Sequence, residues 1–192
     1  GPDVLKICLS VLILYFSLGA RSLKEHGEAV AGPLKELNLD QARGALQRIV
    51  SRDTSNLNES EISTATVETI TENTHDAVIA PIFWFLILGV VGVVLFRLAN
   101  TLDAMWGYRN ERYENFGKFS ARMDDVLGWP SARLTFLLFS FISLCRRHKS
   151  GLVHIMTWGR RWYSPNAGPV MAAGAFALNV RLGGDATYHG VR

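Results

Sequence analysis

Residues 78–96 form an unbroken run of nineteen side chains without a charge. A helix needs about 20 apolar residues to span the hydrocarbon core of a bilayer, so this run is expected to sit in a membrane. Pro81 near its start suits a first helical turn, and Ala80 before it is biased away from helix. Gly89 and Gly92 permit close helix packing in lipid. Directly before the run stand Glu72, Asn73 and Asp76, and directly after it Asn100 and Asp103. The constraint is therefore double: a membrane segment, with ionisable groups at both of its ends.

Other stretches agree with a membrane protein. Residues 4–20 are apolar apart from Lys6 and read as the tail of a membrane helix. Residues 134–145 are apolar but short, so they cross only if their flanks join them; a buried or re-entrant helix fits equally. Residues 169–182 are a further short apolar stretch rich in small side chains. Charged residues make up only 19% of the chain and mean hydropathy is +0.14, against roughly 25% charged in soluble domains. The net charge of +3 is too mild for a nucleic-acid partner. The short basic clusters Arg146-Arg147-His148-Lys149 and Arg160-Arg161 lie near apolar runs and suit phospholipid headgroups. Cys8 and Cys145 have no thiol or histidine at metal-ligand spacing, so a structural zinc is not expected.

Two polar regions, 21–77 and 97–133, separate these segments, and a C-terminal region occupies 146–192. Residues 23–50 read as amphipathic helices broken at Gly32-Pro33, with Leu34, Leu37, Ala42, Leu46 and Ile49 near helical spacing. Residues 51–56 are a turn-like polar loop. Asn58 followed by Glu61 predicts a helix N-terminus with a capping box, and the helix is expected to run to about Asn73. The second polar region is expected to begin as a continuation of the membrane helix and to end at Trp129-Pro130. The fold class expected is all-α: a polytopic membrane protein with amphipathic helices between membrane segments, forming one domain over 1–192.

Glu61, Glu68, Glu72 and Asp76 are spaced by seven, four and four positions. On a helix they share one face, within an arc of roughly 80°. Like charges at this spacing repel by a few tenths of a kcal/mol, so the arrangement is either a solvated acidic face or one that asks for a cation. Its position against the membrane segment favours the cation, because ionisable groups there need a partner. Magnesium fits, taking one or two protein carboxylates and completing its shell with water and substrate phosphate. Asn100 and Asp103 share a face of the following helix. Arg109 and Arg112 lie in a charged aromatic loop that reads either as a phosphate or carboxylate site or as a headgroup-facing anchor. Asp124-Asp125 is a weak signal by itself. His75 lies inside the acidic cluster and reads as structural. No Gly-x-x-x-x-Gly-Lys-Ser/Thr loop, Gly-x-Ser-x-Gly or His-Glu-x-x-His motif occurs, so nucleotide binding of the P-loop kind is not expected.

The ordered set is more specific than its pieces. Ser51-Arg52-Asp53-Thr54 is followed by Glu68-Thr69-Ile70-Thr71-Glu72-Asn73, Asp76, Ala80-Pro81-Ile82-Phe83-Trp84 and Asn100-Thr101-Leu102-Asp103-Ala104-Met105. Then come Gly107-Tyr108-Arg109-Asn110-Glu111-Arg112-Tyr113, Phe116-Gly117, Ala121-Arg122-Met123-Asp124-Asp125, Ser164-Pro165-Asn166-Ala167-Gly168 and Leu182-Gly183-Gly184. From about residue 17 to 190 this order closely resembles the CobD/CbiB family, adenosylcobinamide-phosphate synthase of cobalamin biosynthesis.

The resemblance implies a multi-pass ligase of the inner (plasma) membrane. It would join the free propionate of adenosylcobyric acid to an aminopropanol phosphate, with ATP as co-substrate and Mg2+. The corrinoid, the aminopropanol phosphate and the bilayer are then the expected partners, with a possible complex with other late cobalamin-pathway membrane proteins. Glu68, Glu72 and Asp76 are assigned to metal or general-base work. Asp53, Asn100 and Asp103 complete the metal–nucleotide site, with Asp124 and Asp125 as further metal candidates. Arg109, Arg112 and Asn73 hold substrate or its phosphate, and Asn166 orients substrate through its amide.

The sequence departs from the family in lacking its N-terminal Gly-Asp-Pro and His-Pro motifs, and in stopping soon after Gly190, so truncation at both ends is expected. A non-catalytic membrane sensor or assembly relative on the same fold is the alternative, and a divalent-metal or phosphate-compound transporter a third reading. One conflict is internal: if 78–96 crosses the bilayer fully, Asp76 and Asp103 lie on opposite sides and share no site.

Overall fold

The computed structural model describes residues 2–106, 114–146 and 164–182, with side chains for all of these except 114–116. Seven α-helices and one π-turn order along it: α1 Pro2–Ser17, α2 Ala20–Lys35, α3 Leu39–Gln47, α4 Glu59–Thr74, the π-turn His75–Ile79, α5 Ala80–Trp106, α6 Glu114–Cys145 and α7 Ala167–Leu178. The described residues contain no strand. Among the described residues three helical stretches are long and apolar enough to cross a bilayer: Pro2–Lys35, Glu59–Trp106 and Gly117–Cys145. No residue of α1 is buried, and Leu5, Phe16, Leu86, Val91, Phe141 and Leu144 are all exposed. So much outward apolar surface has a solvent only in lipid; this is an all-α membrane protein.

The second of those stretches is not a rod. At Gly89 the backbone takes φ 62° and ψ −145°, a combination essentially confined to glycine. The chain doubles back there. In a straight helix Trp84 and Gly92 would lie about 12 Å apart, yet a Cβ added to Gly92 would run into the carbonyl oxygen of Trp84 and stand 2.7 Å from the Leu88 Cβ. Two arms, 80–88 and 90–106, therefore form a hairpin. The first arm is about 13 Å long, under half of a ~30 Å hydrocarbon core. The hairpin is re-entrant, with its tip in lipid and both ends on one polar face.

Two cores hold the rest. On the polar side, Val30 of α2, Ala42 and Leu46 of α3, and Ile62 and Ala65 of α4 are buried together. On the apolar side, Phe136 of α6 packs on Ala172 and Ala173 of α7. Small side chains let α7 lie close to its neighbours, and Gly174 is in direct contact with Thr71 of α4.

Several local expectations hold. The capping box forms, with Glu61 N–H donating to Asn58 Oδ1 at 3.0 Å and Asn58 N–H to Glu61 Oε2 at 2.8 Å. Others need correction. α2 does not break at Gly32-Pro33; Val30 and Leu34 pack in the polar-side core and carry the helix through Pro33 to Lys35. The break falls at Leu37, which has φ 59° and is 77% exposed, so Leu37 does not belong to the buried face. Ala80 is helical, because the π-turn delivers the chain into α5 without interruption. The helix containing Asp124 does not end at Trp129-Pro130: α6 continues through Pro130 to Cys145. The missing Pro130 amide costs one bond in the middle of α6, which packing against neighbouring helices offsets. Residues 134–145 are thus the apolar end of a long helix.

Candidate functional site

A cavity of about 640 Å³ opens at the polar ends of α4, α5, α6 and α7. Its wall includes Glu72, Asn73, His75 and Asp76 from α4 and the π-turn, and Asn100 and Asp103 from the returning arm of α5. Asp124, Asp125 and Gly128 of α6, Ser164 to Asn166 before α7, and Ala167 at its start also line it. The hairpin makes this possible. Asp76 and Asp103 would be about 40 Å apart on a straight helix; here both line one cavity, so the conflict between membrane segment and shared site is resolved by re-entry.

Cross-helix hydrogen bonds set the register. Asn100 Nδ2 donates to Asp124 Oδ1 at 3.3 Å, Trp84 Nε1 to the Leu127 carbonyl at 3.0 Å, and Asn166 Nδ2 to the Asp125 carbonyl at 2.9 Å. His75 Nε2 is 2.9 Å from Ser131 Oγ. Asn166 is buried, and its Oδ1 has no hydrogen-bond partner among the described residues. Asn73 Nδ2 bonds the Thr69 carbonyl of its own helix at 2.9 Å.

Of the residues singled out in the sequence, Glu72, Asn73, Asp76, Asn100, Asp103, Asp124, Asp125 and Asn166 all line this cavity. Glu68 does not. It is buried beside the cavity with its Oε2 2.7 Å from Arg52 Nη2. Asp53 is exposed, and its Oδ1 accepts from the backbone N–H and hydroxyl of Ser55 at 2.9 and 2.8 Å, which holds its carboxyl below the usual range. Arg109 and Arg112 lie outside the described residues, as do Arg147-His148-Lys149, Arg160-Arg161 and Gly183-Gly184. His75, read as structural from the sequence, is on the cavity wall, with Nδ1 2.7 Å from Asp76 Oδ1. Adjacent residues on an α-helix diverge by about 100°, and sequence carries no signal for the π-turn that brings these two together. π-turns occur often at functional sites.

The electrostatics favour a cation. Five carboxylates line the cavity, and no Lys or Arg is among the described lining residues. Glu72 lies in the polar helix α4, before the uncharged run 78–96, and is an exposed residue whose carboxyl lines the cavity. Desolvation by the cavity wall, followed by the charges of Asp76 and Glu68, pushes its carboxyl up to about 7. Among the described residues no three His, Cys, Asp or Glu side chains are close enough to ligate an ion by themselves. The donor set fits magnesium of the kind that takes one or two carboxylates and fills its shell with water and phosphate oxygens.

The CobD/Cbib protein family model matches residues 2–192. The cobalamin biosynthesis protein CobD of Chromobacterium violaceum is 52% identical over 187 residues, covering 97% of this chain and 59% of that protein. The protein of the same name from Stutzerimonas stutzeri is 51% identical over 180 residues, covering 94% and 58%. A probable cobalamin biosynthesis protein CobD of Pyrococcus furiosus is 47% identical over 138 residues, covering 72% and 47%. The chain thus spans about three-fifths of the length of the first two relatives. No solved structure matches it. With the family model covering nearly every residue and half of all positions shared with two CobD proteins, the chain belongs to the CobD/CbiB family of cobalamin biosynthesis.

Proposed function

We propose that this cavity is the site of an ATP-dependent amide ligation that joins adenosylcobyric acid to aminopropanol phosphate. The observation that carries the reading is the convergence of five carboxylates on one walled cavity at the polar end of the hairpin. One or two of Asp76, Asp103, Asp124 and Asp125, with Asn100, would hold magnesium, water and phosphate oxygens filling the rest of its shell. When bound, the ion supplies neutralisation of the nucleotide phosphates. Use of ATP places the cavity on the cytoplasmic face of the inner membrane.

A carboxylate is a poor electrophile. Activation bonds one of its oxygens to the γ-phosphorus of ATP, the bond from that phosphorus to the bridging oxygen breaks, and ADP departs, leaving an acyl phosphate. The amine nitrogen then bonds to the carbonyl carbon, and the activated oxygen leaves with its phosphoryl group. Glu72 takes the proton that the nitrogen loses; a carboxyl raised toward neutrality is matched to that work. Asn166, fixed by its bond to the Asp125 carbonyl, lies on the wall where it orients substrate. Arg109 and Arg112, in the segment joining α5 to α6, serve substrate phosphate.

The test is an assay in detergent of the protein expressed from its complete reading frame, with adenosylcobyric acid, aminopropanol phosphate, ATP and Mg2+. Product is read by mass spectrometry. ATP-dependent product is expected; none from folded wild-type protein would sink the reading.

A further inference from the structure

His75 is 4% exposed and bonded on both ring nitrogens. Nδ1 lies 2.7 Å from Asp76 Oδ1, and Nε2 lies 2.9 Å from Ser131 Oγ on α6. Ser131 Oγ is in turn 3.0 Å from the Gly128 carbonyl. An ionised Asp76 offers only acceptors, so Nδ1 carries a proton toward it. Nε2 then either accepts from the Ser131 hydroxyl or, in the imidazolium, donates to it while Ser131 donates to Gly128. The bond to Asp76 is the same in both states.

The order Ser–His–Asp invites comparison with a nucleophilic triad, and the geometry excludes one. Ser131 is fully buried and is not on the cavity wall, so its hydroxyl meets no substrate. The string works in the opposite direction: it is anchored inside α6 and ends on a carboxylate at the cavity surface. Asp76 sits in the π-turn, where the regular i to i−4 ladder that stiffens an α-helix is interrupted. Its carboxylate depends on a side-chain partner for orientation more than a residue within α4 does.

We propose that His75 is a positioning residue: held by Ser131, it fixes one oxygen of Asp76 and leaves the other free for a divalent cation in the cavity. This rests on the magnesium site of the proposed function. Carboxylates that ligate metals are commonly held by such hydrogen bonds, and losing them costs roughly 10–100-fold in metal affinity.

Two substitutions separate the two ends of the ring. In His75→Asn the amide nitrogen takes the place of Nδ1 and keeps the bond to Asp76. In His75→Gln the amide reaches the place of Nε2, keeping Ser131 and losing Asp76. A role limited to packing gives no reason for Asn to outperform Gln. Mn2+ binding to the detergent-solubilised protein, followed by electron paramagnetic resonance, is the readout. His75→Asn is expected to stay within about threefold of wild type and His75→Gln to weaken by roughly tenfold or more. Equal affinities, or the reverse order, would overturn the proposal. Saturable Mn2+ binding absent from wild type would overturn the cation site itself, and the proposal with it. Should both variants fail to fold, wild-type protein labelled with 15N-histidine decides. A protonated Nδ1 whose resonance shifts on adding Mg2+ is expected; an Nδ1 without a proton, or indifferent to Mg2+, overturns the proposal.

Discussion

Asp76 and Asp103 are separated by twenty-seven positions and by an apolar run long enough to span a membrane, yet they face the same cavity. The reversal at Gly89 brings them together. Everything proposed about chemistry depends on this hairpin, and the hairpin depends on two residues without a side chain.

Gly89→Ala forces a side chain into a backbone region that costs on the order of 1–3 kcal/mol for anything but glycine. Gly92→Val is expected to be worse, because its side chain would meet the Trp84 carbonyl and Leu88, and backbone yields poorly to overpacking. Gly44→Ala, in α3 with nothing within 4 Å of the new Cβ, is the control and gains about 0.5–1 kcal/mol. Thermal unfolding in detergent checks the order: Gly44→Ala at or above wild type, Gly89→Ala below it, Gly92→Val lowest or unfolded.

Glu72 gives a pH signature. Its carboxyl is raised from 4.5 to about 7 in the folded protein, so between those values the folded state keeps a proton that the unfolded chain has lost. Stability therefore falls as pH rises through that window, and the cost is complete above it. Glu72→Gln removes the cost. In metal-free buffer the variant is expected to melt with wild type at pH 4 and higher than wild type at pH 8. A difference that does not change with pH contradicts the raised carboxyl.

Glu68 differs from Glu72 in kind. It is buried against Arg52 at 2.7 Å, and removing one partner of such a pair leaves the other uncompensated. Glu68→Gln is expected to cost roughly 3 kcal/mol, seen as a lowered melting point. Arg52→Met, which removes the ion pair from the other side, is expected to lower the melting point as well.

Gly128→Ala tests the wall near α7. The added Cβ would stand 2.9 Å from Asn166 Nδ2 and 3.8 Å from His75 Cε1. A flexible amide can move aside, so the fold survives while Asn166 leaves the Asp125 carbonyl. Ligation is expected to slow roughly tenfold or more with little change in melting point. Asp103→Asn and Asp124→Asn, on the proposed magnesium site, are expected to lose about 100-fold or more.

What the sequence made legible was mostly local or additive. The Asn58–Glu61 capping box needs only four residues, and an uncharged run of nineteen needs no fold to announce a membrane. Eight of the cavity's residues were singled out by residue type, spacing and place beside the membrane run, but their convergence was not legible, since they come from α4, the π-turn, α5, α6 and the residue before α7. What stayed hidden depends on backbone geometry that no side-chain pattern encodes. Gly89 and Gly92 read as packing glycines, although one supplies a left-handed φ and the other a collision-free approach. Pro33 and Pro130 read as breakers, yet tertiary packing of Val30, Leu34 and Phe136 carries both helices past them. His75 looked incidental because the π-turn that sets it beside Asp76 leaves no periodic trace.

Impermeant thiol labelling tests the re-entrant hairpin most directly. In a background with Cys8 and Cys145 replaced by serine, cysteines are placed singly at Ser63 before the hairpin and Thr101 after it, both exposed. In sealed, oriented membrane vesicles, the account predicts that both react from the same side and neither from the other. Reaction from opposite sides would mean that residues 78–96 cross the bilayer, that Asp76 and Asp103 never meet, and that the single cavity does not exist.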